Sequence, residues 1–284
     1  QENLLRELPV KELETDKSMP KGIVSINAYL GAGGIREALE KGADIVITGR
    51  CVDSAVVLGP LMYEFGWKHN EYDKLAAGSL AGHIIECGAQ CTGGNFTKWK
   101  DLKDMHNIGY PIAQIREDGT FDITKPENTG GLVNKFTVSE QILYELGDPK
   151  KYISPDVCVD FTSFNLEETS KDVVTVTGVK GNMPTDTYKV SISYFDGFKA
   201  SGQLTISGPD ALLKAEKSAE IIWKKLENAG LVFDKTSTEF LGLSSCHKSI
   251  AKTPNIINEV VLRLGAVSYT HLRAHETGRN LVCR

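Results

Sequence analysis

The chain has 284 residues, 41% of them apolar and 24% charged, a composition that supports one or two packed cores and excludes disordered or collagen-like classes. Its formal charge of -5 is spread along the chain with no basic stripe, which argues against nucleic acid as a partner. No apolar run is long enough to span a bilayer, so no membrane partner is expected either.

The first residues, QENLLRELPVKELETDK, read as a charged helix ended by Pro9 and lack a signal-peptide core. The start at Gln1 in a helical pattern suggests an internal fragment with sequence missing upstream, and a cytoplasmic protein is the expectation. Gly22 to Ala28 alternates in β-formers and predicts a strand, and Leu30 to Gly34, LGAGG, predicts a turn into a helix over Ile35 to Lys41. Ala43 to Thr48, ADIVIT, is a continuous apolar run that suits a strand buried on both faces of a parallel sheet. The loop Gly49 to Ser54 then feeds a helix to about Phe65, completing a parallel βαβ-type unit.

Open α/β sheets bind ligands in the loops at the carboxyl ends of their strands. Gly31, Gly33 and Gly34 could expose N–H groups to a phosphate or carboxylate, or could serve only a tight turn, and their spacing does not match GxGxxG. Arg50 could pair with a bound anion or with Asp53.

The densest set of chemical groups is GSLAGHIIECGAQCTGGN, residues 78–95. A helix from about Ser79 to Cys91 lines up His83, Glu86, Cys87 and Gln90 on one stripe, opposite Leu80, Ile84, Ile85 and Ala89. Gly93, Gly94 and Asn95 then form a stop that tolerates positive φ and bares N–H groups. His83 and Glu86 can act as a general acid/base pair with Asp53 nearby, or be a hydrogen-bonded core histidine and a solvated carboxylate. A metal set of His83, Cys87 and Cys91 lacks an obvious fourth ligand, so packing rather than metal is expected there, with a metal-dependent hydrolase on His83, Glu86 and Asp53 as a third alternative. The six cysteines are irregularly spaced without a CxxC pair, as in reduced proteins.

Further on, Glu117-Asp118-Gly119 marks a hairpin between Tyr110 to Ile115 and Thr120 to Ile123. A helix over Thr137 to Leu146 is expected, with a capping box of Thr137 and Glu140. From Pro155 the period becomes two, predicting an antiparallel meander of four strands, then a long helix from Pro209 to Asn228 and strands at Thr238 to Leu243 and Asn258 to Leu264. The expected organisation is an α/β domain over 1–150, incomplete at its N-terminus, and an α+β meander domain over 151–266. The last stretch, 267–284, VSYTHLRAHETGRNLVCR, resembles a translated sequencing adapter and is set aside as an artefactual tail, with His271, His275 and Cys283.

Several segments together are similar to the acyclic terpene utilisation family, the AtuA-like proteins. They are NAYLGAGGIREALEKGADIVITGRCVDSAVVLGP, AAGSLAGHIIECGAQCTGGNF, GYPIAQIREDGTFDITKPENTGGLV and TVSEQILYELGDPKKYISPDV, extended by KVSISYFDGFKASGQLTISGP. The resemblance implies a place beside the geranyl-CoA carboxylase route that degrades citronellol and geraniol, with no settled reaction. A CoA thioester is the ligand it suggests, with CoA phosphates at the glycine turns and Arg50. The alternative it leaves is a non-catalytic accessory or scaffold subunit, as a homo-oligomer or with a carboxylase-pathway partner.

Overall fold

The computed structural model describes residues 10–12, 15–243, 245–247, 250, 252 and 256–269. The charged helix expected before Pro9 and the tail beyond Tyr269 lie outside them. The chain forms two compact units, Gln1–Ser193 and Tyr194–Arg284, and the fold is mixed, with helices and several antiparallel sheets. Residue 150, where the composition shifts, falls inside the first unit.

In chain order the first unit runs β1 (Ile23–Ala28), α1 (Gly33–Glu40), α2 (Ala55–Glu64), α3 (Tyr72–Ile85), β2 (Ile112–Ile115), β3 (Phe121–Thr124) and α4 (Lys135–Ile142). It continues with β4 (Tyr152–Ile153), β5 (Cys158–Asp160), β6 (Asn165–Ser170), β7 (Val173–Thr177), β8 (Lys180–Asn182) and β9 (Val190–Tyr194). The sheets are β2-β3-β7-β6 and β4-β5-β8, both antiparallel, and a pair of β1 with β9. The hairpin at Glu117 to Gly119 forms as the turn chemistry requires. The meander does not: of its strands only β6 and β7 pair as a hairpin, while β5 pairs with β4 and β8, and β9 joins β1. Period two specifies strands and faces, not partners, and β6, β8 and β9 are largely exposed, so burial does not fix theirs.

Helix α3 is the centre of the core. Every residue from Leu75 to Ile84 is buried, so the helix is enclosed on all sides rather than amphipathic. Small residues permit this: a Cβ at Gly82 would stand 2.7 Å from the Ser54 Cα, so the start of α2 packs directly on the α3 backbone. Leu58, Met62, Trp67, Phe121, Ile123 and Val174 fill the surrounding layer, each side chain contributing about 1.5–3 kcal/mol on burial. The helix begins seven residues earlier than the apolar pattern suggests and ends at Ile85 rather than Cys91, because Gly88 at φ 54° turns the chain into a 3-10 turn. The cap of α4 is also displaced by one turn: Asn134 and Thr137 form the box, and the Glu140 carboxylate accepts the Thr97 N–H at 3.0 Å instead.

The strand expected over Ala43 to Thr48 is absent. The segment bends at Asp44 and Ile45, Asp44 to Thr48 make no backbone hydrogen bond among the described residues, and Ile45 and Ile47 are 81% and 93% exposed while Val46 packs on the core. A strand requires a neighbour on its hydrogen-bonding edge, and here the parallel βαβ unit is reduced to one bridge, Leu30 with Cys51.

The second unit contains β10 (Phe198–Ser207), α5 (Ala211–Asn228), β11 (Lys235–Leu241) and β12 (Glu259–Ser268), with an antiparallel sheet in the order β10-β12-β11. Ala211, Ala215 and Ala219 of α5 pack against Val260 and Leu262 of β12. Val267 pairs with Lys199 and Lys235, so the strand extends two residues into the stretch assigned to the tail, to Ser268.

Candidate functional site

The first unit holds a cavity of about 740 Å³, within the range of small-molecule sites. Four segments wall it: Asn27 of β1; Thr48, Gly49, Arg50, Cys51, Asp53 and Val56 from the loop into α2; Glu86 and Cys87 just after α3; and Tyr144 and Glu145 just after α4. Arg50, Asp53 and Glu86, which the sequence singled out, therefore share one cavity.

His83 lies behind Glu86. Its ring is almost fully buried, set against Tyr152 and Phe161 at centroid distances of 5.5 and 5.4 Å, themselves stacked at 4.7 Å. Nε2 sits 3.2 Å from the Ile142 carbonyl, which can only accept, so Nε2 carries a hydrogen. Nδ1 has no satisfied hydrogen bond and faces Glu86 Oε1 at 3.3 Å. The two groups stand within reach of a hydrogen bond that Nδ1 does not complete, and the Glu86 side chain, 12% exposed, opens on the cavity. Gln141 fixes the helix end from the other side by donating to the His83 carbonyl at 3.0 Å.

The cavity field is negative. Burial, and then the Glu86, Asp53 and Glu145 charges, push the Tyr152 hydroxyl up to about 12, so it stays protonated. Burial and Glu86 also raise the Cys87 thiol, which disfavours the thiolate a nucleophile requires. Burial pushes Cys91 up to about 12. Among the described residues no group of three or more His, Cys, Asp or Glu is placed to hold a metal ion. Arg50 lies 3.9 Å from Asp53 and 4.9 Å from the Tyr29 ring centroid.

The glycine turns lie outside this cavity. The Ala32 N–H in the LGAGG turn donates to both Asp156 oxygens, at 3.0 and 2.9 Å, and a Cβ at Gly31 would meet Asp156 Oδ1 at 2.5 Å. A protein carboxylate thus occupies the anion position of the turn, while Gly33 and Gly34 face open space. The Gly93 and Gly94 N–H groups already donate to the Gln90 and Ala89 carbonyls, and Asn95 is exposed beside them. Sequence reasoning missed Asn27, Thr48, Tyr144 and Glu145. The helix expected to run to Leu146 stops at Ile142, so Tyr144 and Glu145 leave it and share the cavity with Glu86, an arrangement that depends on α4 packing against α3.

The family model described as acyclic terpene utilisation family protein AtuA matches residues 2–282. No curated protein and no solved structure matches the chain.

Proposed function

We propose that this chain, which belongs to the acyclic terpene utilisation family AtuA, is an acid–base enzyme acting on the acyl end of branched isoprenoid CoA thioesters in the cytoplasm. The observation that carries this reading is the His83–Glu86 pair: a buried ring whose Nδ1 lies 3.3 Å from a carboxylate that opens on a cavity. Glu86 is the group that touches substrate, giving or taking a proton at the carbon or oxygen next to the acyl carbonyl, and His83 replenishes it. Asp53 is the second carboxylate, available to orient water or a hydroxyl. Hydration, hydrolysis and isomerisation all need such a pair.

The test is turnover of geranyl-CoA and shorter acyl-CoAs by the full chain and by Glu86→Gln, which keeps the side chain's size and removes its exchangeable acid. A fall of about 10²- to 10⁴-fold with binding retained supports the role; a variant as active as the parent removes it.

A second reading, an accessory subunit of an acyl-CoA carboxylase pathway, draws on one observation: the segment with Ile45 and Ile47 exposed, whose backbone makes no hydrogen bond among the described residues and is open to a partner. Association with a carboxylase subunit that Ile47→Asp abolishes, together with no turnover by the parent, would favour it.

A further inference from the structure

We propose that the rim of the cavity carries an anion subsite formed by Arg50, Lys189 and Tyr29, which takes the pyrophosphate end of a nucleotide-linked ligand. The proposal rests on the acid–base reading of the cavity and specifies where the carrier end of that ligand lies.

Three chain segments converge beside the cavity residue Arg50 through their backbones. The Tyr29 N–H donates to the Lys189 carbonyl at 2.9 Å, the Leu30 N–H to the Arg50 carbonyl at 3.3 Å, and the Val52 N–H to the Leu30 carbonyl at 2.9 Å. These bonds bring two cations to one ring. The Arg50 Cζ lies 4.9 Å and the Lys189 Nζ 5.1 Å from the Tyr29 centroid, so the charges stand within about 10 Å of each other, one screening length at moderate salt. Tyr29 is two residues beyond Asn27, a lining residue, and Arg50 lines the cavity itself.

These cations are poorly neutralised. Arg50 has one loose partner, Asp53, at 3.9 Å with both side chains about half exposed, and Lys189 makes no ion pair among the described residues. Two cations at one ring beside the cavity form a local positive patch in an acidic protein, which an anion can meet. The turns that could have held it are occupied: Ala32 by Asp156, Gly93 and Gly94 by helix carbonyls. A planar guanidinium offering two parallel donors beside a flexible ammonium suits a diphosphate better than one carboxylate.

The experiment is titration calorimetry of the full chain with CoA, inorganic pyrophosphate and pantetheine, which lacks the phosphates, for the parent, Lys189→Ala, Lys189→Arg and Arg50→Ala. The expected result is a CoA Kd that weakens about tenfold in Lys189→Ala, recovers in Lys189→Arg, weakens further in Arg50→Ala, and rises with salt, while pantetheine binding is unchanged. Competition by pyrophosphate assigns the site to free diphosphate as well as to CoA; no competition confines it to the whole carrier. CoA binding that ignores both substitutions, or pantetheine binding as tightly as CoA, overturns the subsite. Loss of turnover in Glu86→Gln would stand in that case, so failure here is separable from failure of the acid–base reading.

Discussion

Asp156 and Glu86 are both carboxylates drawn away from water in the first unit, and what each faces decides what it can do. Asp156 accepts a backbone N–H with both oxygens, an acceptor role that its charge can fill but that moves no proton. Glu86 faces a ring nitrogen that has no other partner and is open to a cavity on its far side. A carboxylate closed on an amide clamps a turn; one set between a titratable ring and a cavity can exchange a proton. Substituting the two carboxylates should therefore have different consequences, one for turnover and one for stability.

The largest expected effect is on chemistry. Glu86→Gln should lower turnover by two to four orders of magnitude and leave the melting temperature within a few degrees, since the glutamine can still donate to the His83 Nδ1. Asp156→Ala should do the reverse. It leaves the Ala32 N–H without its acceptor and should cost about 1.5–3 kcal/mol in denaturant unfolding, with turnover of the folded fraction retained. A stability loss in Glu86→Gln as large as that in Asp156→Ala would assign both carboxylates to structure.

Gly31→Ala probes the clamp from the other side. The added methyl would meet Asp156 Oδ1 at 2.5 Å, so either the turn or the carboxylate must move, at about 1–2 kcal/mol. In the Asp156→Ala background the clash is gone, and the double variant should be less destabilised than the sum of the two. Full additivity would mean that the two residues do not meet in solution.

Local signals were legible in the sequence and pairings were not. Helices α1, α2 and α5 and the hairpin at Glu117 to Gly119 follow from period and turn residues within a few positions, because those rules are local. ADIVIT carries the pattern of a buried parallel strand, yet it has no neighbour on its edge, and pattern alone cannot supply one. The site divides in the same way. His83 and Glu86, three apart, meet because α3 carries them to its end. Their commitment, the Nε2 hydrogen held by Ile142 59 positions away, comes from α4 packing on α3. The glycine turns looked available because Asp156, 124 residues further on, does not show its partner in sequence. A residue's type and spacing thus announce what it can do, and long-range packing decides which of those options is already spent.

The smallest effect concerns pH and separates burial from hydrogen bonding at Asp156. Burial raises this carboxyl above its ordinary 3.8, outweighing the Ala32 N–H, which favours the charged form. The folded chain therefore holds the proton to higher pH than the unfolded chain, and the unfolded state binds fewer protons over that interval. Stability from this group is full below about 3.8 and is lost as pH rises through the folded value. Asp156→Asn keeps an acceptor for the Ala32 N–H and removes the titration. Unfolding free energies measured on both proteins from pH 3.5 upward should show the parent losing stability relative to the variant, then running parallel to it once the carboxyl is ionised. A parent that instead gains on the variant as pH rises would show that the Ala32 hydrogen bonds outweigh burial, and would make Asp156 the tighter of the two carboxylates rather than the costlier one.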